Sequence, residues 1–155
     1  MMQAMRHLAA AISLALLPFA AQAERVAILP VKLLDTSHEA RDQQADHRRR
    51  LDLLARVLQE ELGDAVLIAP EAVAAACRPE TTECLLALGR EQDSQRALFI
   101  VVQKTSTLIL QVFANLVDTG SGELILGRNL NFRGDNDEAW RRAGRFLARQ
   151  MREAD

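Results

Sequence analysis

The chain has no tyrosine and a single tryptophan, Trp140, among 155 residues. With only five phenylalanines beside that tryptophan, the composition argues against carbohydrate platforms and aromatic cages for cationic ligands. Lysine is nearly absent as well: Lys32 and Lys104 stand against 17 arginines. Together with abundant alanine, this reads as the codon bias of a GC-rich bacterial genome. The chain lacks a Gly-x-Ser-x-Gly elbow, a His-Glu-x-x-His pair and a glycine-rich phosphate loop between a strand and a helix. The serine-hydrolase, zinc-protease and nucleotide-binding motifs are therefore missing. No charged run of one sign exceeds three residues, and no apolar span is long enough to cross a membrane.

What is present begins at the N-terminus. Arg6 and His7 precede an uncharged run from Leu8 to Ala20, and Ala21-Gln22-Ala23 closes it. A charged start, an apolar middle and small residues at the end make a secretory signal peptide. The run is too short for a spanning helix, which needs about 20 residues. Cleavage is expected after Ala23. Residues 1–23 would be the signal and 24–155 one exported domain, with the periplasm as its compartment. Removing Arg6 leaves 18 basic and 21 acidic side chains, a formal charge of −3. That balance does not suit nucleic acid. No cofactor is implied.

Hydrophobic patterning predicts an α/β (α+β) domain, ordered β-α-β-α-α-β-β-β-α. Val26 to Val31 is a short apolar strand buried on both faces. Lys32 to Ala45 is polar and non-periodic, and is expected to be a long loop. Leu51, Leu54, Val57, Leu58 and Leu62 recur at helical spacing on a helix from about Asp46 to Leu62. Ala65 to Ala69 is a second strand, and a short helix runs from Pro70 through Ala76. Thr82 to Gln92 is another helix and Arg96 to Lys104 a third strand. Thr107 to Asp118 and Glu123 to Arg133 form a hairpin around Thr119-Gly120-Ser121-Gly122. Ser121 between two glycines reads there as a turn residue, not a nucleophile. A last helix follows, with Asp135 and Glu138 matching a capping box. The expected fold is a single mixed five-stranded sheet with helices mainly on one face.

Four groups of residues are candidates for function. Cys77 and Cys84 are the only cysteines, and an oxidising compartment favours their pairing. Seven residues on one continuous helix would rise about 10 Å, too far for a bridge. The chain must turn back between them, and Pro79 supplies the break. His38, Glu39, Asp42, Asp46 and His47 form the second group. They are either weak metal ligands, as in a small-ligand or metal-binding protein, or the polar side chains of a solvated loop. Arg141, Arg145, Arg149 and Arg152 lie on one helical face opposite Trp140, either solvated or a surface for an acidic partner or anionic lipid heads. Arg48-Arg49-Arg50 reads as a solvated helix face. The 32–45 loop is itself a candidate contact surface.

Two stretches carry a resemblance. The first is Val26-Ala27-Ile28-Leu29-Pro30-Val31 with Leu34-Asp35-Thr36-Ser37. The second runs from Val101-Val102-Gln103-Lys104-Thr105-Ser106 through Val117-Asp118-Thr119-Gly120-Ser121-Gly122 to Arg133-Gly134-Asp135-Asn136-Asp137-Glu138-Ala139-Trp140. The chain resembles a family of small secreted proteobacterial proteins of unassigned function. More distantly, it is similar to the N-terminal domain of TolB and related cell-envelope proteins. That resemblance implies an α/β domain used for protein contacts rather than catalysis. The expected role is a non-catalytic interaction or accessory domain with an envelope protein as its partner.

Overall fold

A computed structural model describes residues 24–153. The expected signal peptide lies outside the described residues. Four helices and a mixed sheet make up the domain, in the order β1 Val26–Ile28, β2 Lys32–Asp35, α1 Gln44–Leu62, β3 Ala65–Leu67, α2 Pro70–Ala76, α3 Thr82–Glu91, β4 Arg96–Lys104, β5 Ile109–Asp118, β6 Leu124–Arg133 and α4 Asp137–Arg152. Across the sheet the strands run β3-β1-β4-β5-β6, with β2 also paired to β4.

The sheet has six strands where the sequence suggested five. The addition lies inside the expected 32–45 loop. β1 and β2 are two parts of one path along β4, since Ile28 is level with Leu98 and Lys32 with Val101. Four residues on one side thus span three on the other. Leu29, Pro30 and Val31 absorb the extra residue, and Pro30 falls where the ladder needs no N–H. Lys32–Asp35 escapes notice because strand β2 is mostly exposed, so it shows no run of apolar residues. The true loop is only residues 36–43, because α1 begins at Gln44. β5 likewise starts at Ile109 rather than Thr107, after a tight turn in which Ser106 Oγ accepts from the N–H groups of Leu108 and Ile109.

The first strands are parallel, as a crossover helix requires. β1 pairs with β3 and with β4, both parallel, and β4-β5-β6 is an antiparallel meander. The two long helices, α1 and α4, share one face. Their core joins Leu54, Leu58, Trp140 and Leu147 to Leu98, Ile100, Val102, Leu110 and Val112. The helices close tightly at Gly144, where an added Cβ would stand 2.9 Å from Val57 Cγ1 and 3.1 Å from Leu54 Cδ1. Trp140 meets Phe132 edge to face, with centroids 5.6 Å apart. The short helices α2 and α3 lie on the opposite face, packing Val73, Cys77, Leu85 and Leu88 against Ala27 and Leu29. That second helical layer covers β3, β1 and one end of the meander, where Leu86 packs against Ala97 and Val117, and leaves the outer face exposed toward Val101, Phe113 and Ile109.

Cys77 and Cys84 form a disulfide with Cα atoms 5.7 Å apart. Thr81 caps α3 by accepting from the Cys84 N–H, so the bridge joins the end of one short helix to the start of the next.

Candidate functional site: a buried lysine under the loop and a bare sheet face

Strand alternation puts Lys104 on the same face as Leu98, Ile100 and Val102, and its side chain is 0 % exposed. A buried ammonium must be paired. Its Nζ lies 2.8 Å from Asp135 Oδ2, a close ion pair rather than a well-aligned hydrogen bond. It also donates to Gln43 Oε1 at 2.8 Å and to Glu39 Oε2 at 3.2 Å, and lies 3.3 Å from His47 Nε2.

Asp135 is 3 % exposed, and its Oδ1 accepts from Arg50 Nη1 at 2.9 Å and from the Trp140 indole N–H at 3.0 Å. The helix cap is instead Asn136, whose side chain accepts from the Ala139 N–H, which corrects the capping role expected of Asp135. A carboxylate so close to a buried lysine is worth more there than at a helix end. Arg50 is likewise buried, not solvated: it spans Asp135 and Asp137, while Arg49 joins Asp46 and Asp137. Of that arginine run only Arg48 keeps the expected exposure without an ion pair among the described residues.

The electrostatics favour charge on Asp135, Lys104, Glu39 and Asp35. Burial alone would raise the Asp135 carboxyl, but the close Lys104 ammonium, the Trp140 hydrogen bond and the charge of Arg50 hold it below the ordinary carboxylate value. Burial alone would lower Lys104, but Asp135 and Glu39 push it above the ordinary lysine value. The Gln43 hydrogen bond chiefly, then Lys104, keeps Glu39 low against some burial. Asp35 feels burial first, which two hydrogen bonds from Ser37 and the nearby Lys104 outweigh. A lysine without solvent and held as a cation is neither nucleophile nor base. The cluster ties loop 36–43, α1 and the start of α4 to the sheet.

The five candidate ligands of the 38–47 segment go separate ways. Glu39 and His47 turn inward to the Lys104 ammonium, which would repel a metal cation. Asp46 pairs with Arg49 and Arg41, and Asp42 accepts from the Gln44 N–H. His38 is exposed, at a φ of 54°. Among the described residues no three His, Cys, Asp or Glu side chains are grouped to hold a metal. In the stripe on α4, Arg141 and Arg145 share Glu138, at 3.9 and 3.5 Å, and Arg152 reaches Glu61 at 3.8 Å. Arg149 instead lies over the Phe146 ring, 5.5 Å from its centroid. Ser121 lies in a turn whose N–H groups at Gly120 and Ser121 bond Asp118 Oδ1.

The bare face of the meander carries apolar side chains in register. Val101 stands opposite Phe113, and both are exposed, as are Leu34 and Ile109. Gln103, Gln111, Asn129 and Asn131 surround them, and Gln111 donates to Asn129 at 3.0 Å. The expectation of helices mainly on one face anticipated a partly wet second face, but not which side chains stay exposed on it.

No helix among the described residues is long and apolar enough to cross a membrane. No curated protein matches the chain in sequence. Among solved structures the fold is similar to a hypothetical protein, CT253, from Chlamydia trachomatis, with TM-score 0.54 and 14 % identity over 85 % of this chain and 98 % of that one. It is similar to TolB from Acinetobacter baumannii, with TM-score 0.52 and 16 % identity over 86 % of this chain but 28 % of TolB. It is also similar to the PelC dodecamer from Paraburkholderia phytofirmans, with TM-score 0.51 and 14 % identity over 84 % and 86 % of the two chains. At such identities the likeness is one of fold. Residues 24–151 match a family described only as a protein of unknown function (DUF2380), and the chain belongs to that family, DUF3280.

Proposed function

We propose that the chain is exported to the periplasm and works there as a non-catalytic interaction domain of the cell envelope. The bare meander face carries this reading: Val101, Phe113, Ile109 and Leu34 are exposed together on regular strands, with no helix over them. Apolar side chains held in register at a surface suit contact with another protein. The ionisable residues support the same view, since the densest polar cluster is closed around Lys104 and serves to hold the fold together. The signal pattern of residues 1–23 and the Cys77–Cys84 bridge both suit an oxidising compartment outside the cytoplasm. Use of this fold for assembly has a precedent in the PelC dodecamer.

The test is fractionation followed by site-specific photocrosslinking in the native host. The expected product is periplasmic, begins at Glu24, and crosslinks from position 113 to a distinct envelope protein, with no such product from Glu60 on α1. Retention in the cytoplasm, or equal labelling from both positions, would overturn the proposal. Crosslinks only between copies of the chain would replace the partner by self-assembly.

A further inference from the structure

β6 ends the sheet, and no strand pairs with its outer edge among the described residues. The edge is ten residues long and contains no proline. It presents a row of backbone N–H and C=O groups, which natural sheets usually shorten, twist away or cover.

The arginines beside this edge differ from most others in the chain. Arg25, Arg49, Arg50, Arg90 and Arg96 each meet a carboxylate. Arg128 and Arg133 on β6, and Arg142 and Arg149 on α4, have no ion pair among the described residues. Arg128 donates only to the neighbouring Gly127 carbonyl, and Arg149 lies over Phe146. Between β6 and α4 is a groove of about 240 Å3, floored by Leu130, Phe132, Ala143 and the half-exposed Phe146, with Arg133 and Arg142 at its rim. The chain is acidic overall, so this unpaired basic edge is a local feature.

Like charges on the edge disfavour pairing with the same edge of a second copy. They suit a strand of opposite charge. We propose that the free edge of β6 receives an extended acidic segment of a partner protein. The segment adds a strand to the sheet by main-chain hydrogen bonds. It seats apolar side chains against Phe132 and Phe146 and turns carboxylates on its other face toward Arg133, with Arg142 at the rim of the groove. This rests on the interaction-domain reading and names the chemistry of the partner.

The probe is a peptide of alternating glutamate and valine, as long as β6, added to the exported protein and followed by amide hydrogen exchange. Slowed exchange along β6 but not β3, weakened by salt, is the expected result. Arg133→Glu with Arg142→Glu should weaken binding by about tenfold or more, because opposed like charges replace the pairs. Both side chains are exposed, and unchanged exchange in the core would show the variant folded. Backbone N-methylation of the peptide should abolish binding. Equal binding of a lysine–valine peptide, or binding that leaves β6 exchange unaltered, would overturn the proposal. So would arginine-dependent binding to anionic phosphatidylglycerol vesicles in place of the peptide, or β6 protection that rises with protein concentration alone. If the peptide fails while position 113 still crosslinks to an envelope protein, the edge proposal falls and the interaction-domain reading stands.

Discussion

Lys104 and Asp135 form an ion pair of 2.8 Å in which neither side chain is more than 3 % exposed. They come from opposite sides of the β5–β6 hairpin: Lys104 closes β4, and Asp135 follows β6. Their contact fixes where α4 starts, and Arg50 and Trp140 complete it from the two long helices.

Asp135→Ala should remove the most buried counter-charge of two buried cations at once, leaving Glu39 to Lys104 and Asp137 to Arg50. A loss of about 3–5 kcal/mol is expected for breaking one side of such a pair. Lys104→Met with Asp135→Asn should cost less than the sum of the single changes, because neither member of the pair is then left facing a missing partner. Chemical denaturation of the four proteins checks this, and additive losses would refute the coupling.

Stability should fall off at both pH extremes. The folded values of Asp135, Glu39 and Asp35 lie below their unfolded ones. Their contribution is therefore complete above the ordinary carboxylate range, about 4, and is lost as pH falls through the depressed folded values. Lys104 is raised, so its contribution is complete below about 10.4 and is lost as pH rises through the folded value. Melting temperature against pH should show both limbs, and Asp135→Asn should flatten the acid limb. An unchanged acid limb would disprove this assignment.

Gly144→Ala should destabilise the protein although alanine favours helix. The helix gain is about 1 kcal/mol, whereas overpacking costs about 1–3 kcal/mol. Val57 Cγ1 at 2.9 Å from the new Cβ leaves no room. Val57→Ala in the same chain should restore part of the loss, as read from denaturation midpoints.

Reduction of the Cys77–Cys84 bridge, or its replacement by two serines, should cost about 2–3 kcal/mol in the chain-entropy model for so short a loop. Hydrogen exchange should rise first in α2 and α3, the elements the bridge joins, while α1 and α4 stay protected. Uniform exchange across the domain would argue against that local role.

Elements with strong periodicity were legible from the sequence. α1 differs by two residues at its start, and β4 has its expected bounds, because Leu54, Val57, Leu58 and the Leu98-to-Val102 run state their period clearly. β2 was not legible, since its side chains are mostly exposed and its order comes from pairing with β4. Lys104 could have been noticed: the alternation Leu98, Ile100, Val102 makes position 104 an inward one. Its partners could not, because Glu39, Gln43 and His47 look like any polar stretch.

By itself the sequence determined the helix and strand periods, the hairpin end of the sheet, and the turn that lets Cys77 meet Cys84. These depend on neighbours close along the chain, through spacing, turn residues and a break at Pro79. Tertiary structure decided which carboxylate serves Lys104, that Arg50 is buried, and which side chains stay exposed on the second sheet face and along the β6 edge. Those outcomes depend on groups far apart in the chain, 85 residues in the Arg50–Asp135 pair, and charge pairing and burial are settled only when the elements pack.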